Sequence, residues 1–177
     1  LAGSAAYWRY RSATALHSST KAPEDEELKK TARSEFATNF KDHPRSIDLQ
    51  YYEGADYITD GDAKRISGKA EEAKAFYDLA LQRLGNTKKS SILFTKALAR
   101  TGEVLYKIGK YEEGLEALAK VETFIGDPQN VTTDPSRKAN RAQAQAITAY
   151  FTALCQSRLK RWEKVLEALD GYETKYA

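Results

Sequence analysis

The side chains able to do chemistry are few and scattered. The chain holds two histidines, His17 and His43, and a single cysteine, Cys155, in 177 residues. A zinc-type site needs ligands clustered at short spacing, three or four residues apart on a helix. Neither histidine has such a neighbour, and both are read as solvated or capping imidazoles near helix ends. Asp56, Asp60, Gly61 and Asp62 resemble a calcium loop until the positions are counted. With Gly61 at the sixth position, Ile58 and Ser67 fall where oxygen ligands are required, the second as a bidentate glutamate. That stretch is expected to be a helix ending in a polar turn. Gly102 to Gly109 lacks the Gly-Lys-Ser/Thr element of a phosphate loop. Asn130-Val131-Thr132 is a formal glycosylation triplet, meaningful only in a protein secreted from a eukaryote. Cys155, between Leu154 and Leu159, reads as a small buried apolar residue, since Arg158 one turn away is too little to activate a thiol. No nucleophile stands with a plausible general base. The expectation is no enzyme activity, no metal and no cofactor within this chain.

The elements that would position these residues are helices. Thr95 to Gly126 reads as two amphipathic helices joined at Gly109-Lys110. Gly102 and Gly114 are small where the helices would cross, and Tyr111 is a large ring just past the turn. Gly102→Leu is expected to cost about 1–3 kcal/mol by overpacking, and Gly102→Ala to be nearly neutral. Ile47 to Gly61 offers another first helix, with Gly54, Tyr57 and Gly61 in the register of Gly102, Leu105 and Gly109. Its second helix is Lys69 to Gly85, with Ala73, Tyr77 and Ala80 inward. Ala149, Ala153, Trp162, Val165 and Leu169 repeat the order near the C-terminus, with Lys160 in place of the turn glycine. A looser copy runs through Tyr7, Trp8, Tyr10, Ala13 and Leu16, then Pro23 and four acids, then Leu28, Ala32, Phe36 and Phe40. Helices are expected at about residues 4–18, 24–41, 46–60, 68–85, 89–109, 111–125, 135–160 and 162–176, with no β-sheet.

The order of Leu98, Gly102, Leu105, Gly109, Tyr111, Gly114, Leu118 and Val121 resembles the tetratricopeptide repeat, a helix–turn–helix unit. Gly114 and Val121 depart from its usual alanines. The spacings are long: 48 residues from Gly54 to Gly102 and 51 from Tyr111 to Trp162. A standard unit has about 34, and HEAT-type repeats, at about 40–47, compete on period alone. Long irregular repeats closing with an aromatic and a proline, as in Phe40 to Pro44 (FKDHP), resemble bacterial envelope assembly and Tol–Pal-associated proteins. The resemblance implies an all-α, right-handed α-solenoid of about four hairpins, near residues 1–44, 45–87, 88–128 and 133–177. It implies a protein–protein interaction scaffold that takes an extended peptide or a partner helix in its concave groove. It places Tyr51, Tyr106 and Tyr150 on the groove face of successive first helices, with Glu103, Lys107, Leu154 and Arg158 beside them. Two readings of these tyrosines stand, groove lining and packing against a neighbouring repeat. Two other functions stand beside peptide binding: a helical scaffold attached to an enzyme elsewhere in the parent chain, and a nucleic-acid-binding solenoid.

Composition bounds these readings. Net charge is +3 with acids and bases mixed, which argues against nucleic acid as the partner. No apolar stretch is long enough for a membrane span. A chain beginning at Leu1 and lacking methionine is expected to be part of a longer array. The envelope resemblance favours the periplasm over the cytoplasm, whereas one cysteine suits both.

Overall fold

The computed structural model describes residues 1–20 and 22–176. Lys21 and Ala177, the latter closing the expected fourth hairpin, lie outside them. The described residues are all-α, with no β-strand among them. They form two compact units, Leu1–Leu49 and Gln50–Ala177.

In the first unit, α1 (Ala2–Thr20) packs on α2 (Pro23–Asn39). Pro23 is preset for a first helical turn, and Glu24, Asp25 and Glu26 suit the positive end of the helix dipole. Tyr7, Tyr10, Ala13, Ala32 and Phe36 form the buried interior, with the Tyr7 and Phe36 ring centroids 5.6 Å apart. A 3-10 turn, Pro44–Asp48, follows. His43 caps it: its Nδ1 accepts from the Arg45 backbone N–H at 3.1 Å, and its ring sits edge-on to Phe36 at 5.4 Å.

The second unit begins one residue into α3 (Leu49–Ile66) and contains α4 (Ala70–Gly85), α5 (Phe94–Lys107), α6 (Tyr111–Gly126), α7 (Pro135–Arg158), α8 (Trp162–Leu169) and the short α9 (Tyr172–Tyr176). Helix α4 packs on α5, and α7 lies against both α5 and α6. One cluster joins Tyr51, Ile58, Tyr77, Ala80, Leu84, Leu93, Ala97 and Val104. A second joins Ala99, Val121 and Ala144. Asp134 caps α7 by accepting from the Arg137 N–H at 2.8 Å, ahead of Pro135. The Arg137 guanidinium reaches back to the Ser90 carbonyl at 2.7 Å, which fixes the start of α7 on the loop before α5.

Three turns share one geometry. Gly68, Gly109 and Lys160 have φ of 77°, 81° and 60°. The next residues, Lys69, Lys110 and Arg161, have φ near −95° and ψ near 70°. Their N–H groups reach back five residues, to the carbonyls of Lys64, Leu105 and Gln156, each at 2.9 Å. This is the Schellman closure of a helix, in which a left-handed residue lets the chain satisfy the last carbonyls. Lys160 adopts it without glycine's freedom.

These turns correct the register read from the sequence. Gly61 is not a turn residue but lies inside α3, which runs to Ile66 rather than 60, and the corner is at Gly68. Gly61 therefore matches Gly102, each seven residues before its turn, and the turns are spaced by 41 and 51 residues (68 to 109, 109 to 160). A Cβ on Gly61 would meet Tyr77 at 2.7 Å, and one on Gly102 would meet Leu118 at 2.4 Å. A Gly102 Cβ would also lie 3.3 Å from the Gly114 carbonyl, so these backbones touch directly. Gly102→Ala is therefore expected to be destabilising rather than nearly neutral, since the added methyl meets a fully buried Leu118. Two further boundaries differ. Helix α5 starts at Phe94 rather than near 89, because Ser90 and Ser91 fold into a loop where the Ser91 hydroxyl accepts from the Leu93 N–H. The expected helix 162–176 breaks at Gly171, which has φ of 66°.

Candidate functional site

The ends of α3 and α5, the start of α6 and the second half of α7 meet around a cavity of about 400 Å³. Arg65, Tyr106, Lys107, Tyr111, Tyr150, Phe151, Leu154 and Arg158 line it. Helical spacing explains the grouping. Tyr106 and Lys107 stand three and four residues after Glu103, and Tyr150, Leu154 and Arg158 follow one another at four-residue steps, so each set shares a helix face. The rings pack on one another: Tyr106 is tilted against Tyr111 at 5.7 Å and against Phe151 at 5.6 Å, and Tyr150 meets Phe151 edge to face at 5.2 Å with planes 87° apart. Tyr150 is 48% exposed. Arg158 Nε donates to the Tyr106 hydroxyl at 3.5 Å, and this contact pushes the already high guanidinium pKa further up.

Beneath the rings runs a polar chain. Lys107 Nζ lies 2.6 Å from Asp62 Oδ2 and 2.7 Å from Glu103 Oε1. Asp62 Oδ1 accepts the Tyr77 hydroxyl at 2.6 Å, and Glu103 Oε2 accepts from Arg100. Burial, then the Asp62 carboxylate, pushes the Tyr77 phenol up to about 12. Cys155 is fully buried, with its Sγ against Gly114. Burial, followed by the Glu112 carboxylate, pushes its thiol up to about 11, which removes the thiolate a nucleophile needs.

No protein family, no curated protein and no solved structure matches this chain.

Of the residues singled out in the sequence, Tyr106, Lys107, Tyr150, Leu154 and Arg158 come together in the cavity. Glu103 lies under it, 4% exposed, as the partner of Lys107. Tyr51 does not belong: it is 6% exposed in the α3–α4–α5 cluster, with Lys96 Nζ 5.5 Å above its ring. Counted from the corrected turns, Tyr51 sits seventeen residues before its corner and Tyr106 three, so they occupy different heights of their hairpins. For Tyr51 the packing reading is the correct one. Arg65, Tyr111 and Phe151 were missed as lining residues. Arg65 stands three residues before Gly68 as Tyr106 stands before Gly109, so the correct turn would have found it. Asp56, Asp60 and Asp62 lie within α3, and Asp62 faces Tyr77 and Lys107. A recess of about 500 Å³ on α2 is lined by Lys30, Thr31, Ser34, Glu35, Thr38 and Asn39. It is one polar helix face and gathers no ring. No described helix is long and apolar enough to cross a membrane.

Proposed function

We propose that this chain is a protein–protein interaction scaffold of tetratricopeptide type, and that the α5–α7 cavity takes an extended peptide or a partner helix. The observation that carries the reading is the cavity itself, where aromatic rings from the corner of the α5–α6 hairpin and from the second half of α7 gather around one opening and leave Tyr150 half-exposed. Exposed aromatic rings held by their neighbours are the usual anchors of protein interfaces. The three matching turns support a repeat architecture, and a right-handed stack of four hairpins is the arrangement we favour. A place in a bacterial envelope assembly rests on the Phe40 to Pro44 segment alone.

The test is selection of a phage-displayed library of short random peptides on the folded protein, repeated on Tyr150→Ala. Selected peptides should lose at least about 2 kcal/mol of binding to the variant, as expected for an aromatic hot spot. Its melting temperature should hardly move, because the ring is half in solvent. Peptides that bind both proteins equally would remove the cavity from the function.

A further inference from the structure

We propose that the segment taken by this cavity is acidic, with aspartate or glutamate side chains flanking a bulky apolar residue. This rests on the binding reading above and names the chemistry of its ligand.

Among the described residues three cations line the cavity, Arg65, Lys107 and Arg158, and no lining residue carries a carboxylate. They are not equivalent. Lys107 is engaged, with its ammonium between Asp62 and Glu103 and its side chain only 12% exposed. Turning it toward a ligand would leave two partly buried carboxylates without their counter-ion. Those carboxylates are in turn occupied by Tyr77 and Arg100. The Arg65 side chain is 58% exposed; it meets the Tyr77 hydroxyl and lies 4.0 Å from Asp62 Oδ1, which already accepts that hydroxyl. Arg158 is exposed, and among the described residues it meets the hydroxyl of Tyr106, with Tyr111 beside it. A guanidinium carries five N–H donors in a fork that matches a carboxylate. Two such forks, at the end of α3 and at the end of α7, therefore keep donors for an incoming anion. Between them Tyr106, Tyr150, Phe151 and Leu154 offer apolar surface. A neutral segment would use only the rings, and a basic one would be repelled at both ends.

Single-stranded RNA also combines anions with flat apolar groups. It is disfavoured here because stacking needs open ring faces along a continuous basic path. These rings are tilted onto one another by 49° to 87°, and the acids Glu112 and Glu113 follow Tyr111 directly.

The peptides selected above should be rich in Asp and Glu beside Leu, Ile, Val or Phe. A fluorescein-labelled synthetic copy of the best one should bind about fivefold more weakly to Arg65→Gln and to Arg158→Gln, and should weaken as salt rises. Its copy with Gln and Asn in place of the acids should show a similar loss. Arg158→Glu, with its circular dichroism unchanged, should prefer a copy carrying Lys in place of the acids. Neutral or basic peptides whose binding still needs Tyr150 would overturn the acidic ligand and leave the cavity as a binding site. A short oligouridylate that binds more tightly than any selected peptide would overturn it in favour of nucleic acid. Binding indifferent to Tyr150 and to both arginines would end both proposals.

Discussion

Gly102 and Ala153 hold the same place, seven residues before the turn, in the α5–α6 and α7–α8 hairpins. Leu118 and Leu169 hold the same place nine residues after it. In the first hairpin Leu118 fills the space over Gly102 and is fully buried, while α7 covers both helices. In the second, Leu169 is 39% exposed, Leu166 73% and Trp162 62%, and no residue of α8 is buried. The corner is the same in both, down to the bond from Arg161 N–H to the Gln156 carbonyl at 2.9 Å. Turn geometry is thus set locally, by a left-handed residue and a satisfied carbonyl, whatever packs above it. Packing density is set by what the next element brings.

The largest effect should separate the two leucines. Leu118→Ala should cost about 2–5 kcal/mol, the range for emptying a filled core site. Leu169→Ala should cost about 1–2 kcal/mol, since more than a third of the residue stays in solvent. Urea unfolding of both variants measures the gap, and equal losses would erase the contrast.

Gly102→Ala comes next. Overpacking against Leu118 costs about 1–3 kcal/mol, and the helix propensity gained over glycine returns about 1 kcal/mol. A net loss is expected. In a Leu118→Ala background the added methyl has room, so the double variant should be more stable than the sum of the single losses implies. A neutral single variant would show that the two backbones approach less closely than the 3.3 Å from that Cβ to the Gly114 carbonyl requires.

The smallest effect tests the shared corner. A left-handed backbone costs a side-chain-bearing residue about 1–2 kcal/mol relative to glycine. Lys160→Gly should raise stability by about 1 kcal/mol, and Gly109→Ala should lower it by a similar amount. Thermal melts of the pair should move in opposite directions, and a shift of the same sign in both would deny the common geometry.

Much of this architecture was legible because small and large residues alternate at helical spacing. Ala73, Tyr77 and Ala80 placed α4, and Tyr111 just past the Gly109-Lys110 turn placed the start of α6. The Gly102–Gly109 pair was read correctly, yet its twin, Gly61–Gly68, was missed because Gly54 and Gly61 have the same seven-residue spacing. Glycine type alone does not separate a helix contact from a turn; the neighbouring backbone does. The site was legible where residues share one helix, as with Tyr150, Leu154 and Arg158. It was not legible for Tyr51, which is buried in a cluster with Leu93, just before α5, and Ala97 within it. Nor was it for Arg65, whose role depends on where α3 stops.

Cys155 presses its sulfur toward the α carbon of Gly114, where a Cβ would stand 3.3 Å away. Being fully enclosed, with a thiol titrating near 11, it reacts with a disulfide reagent only when α7 lifts from α6. The rate of that reaction then equals the intrinsic thiol rate scaled by the fraction of molecules open at that joint. The protein thus carries its own clock for local opening between its central and last hairpins, readable in native buffer and undisturbed by any second thiol, since the sequence has no other cysteine.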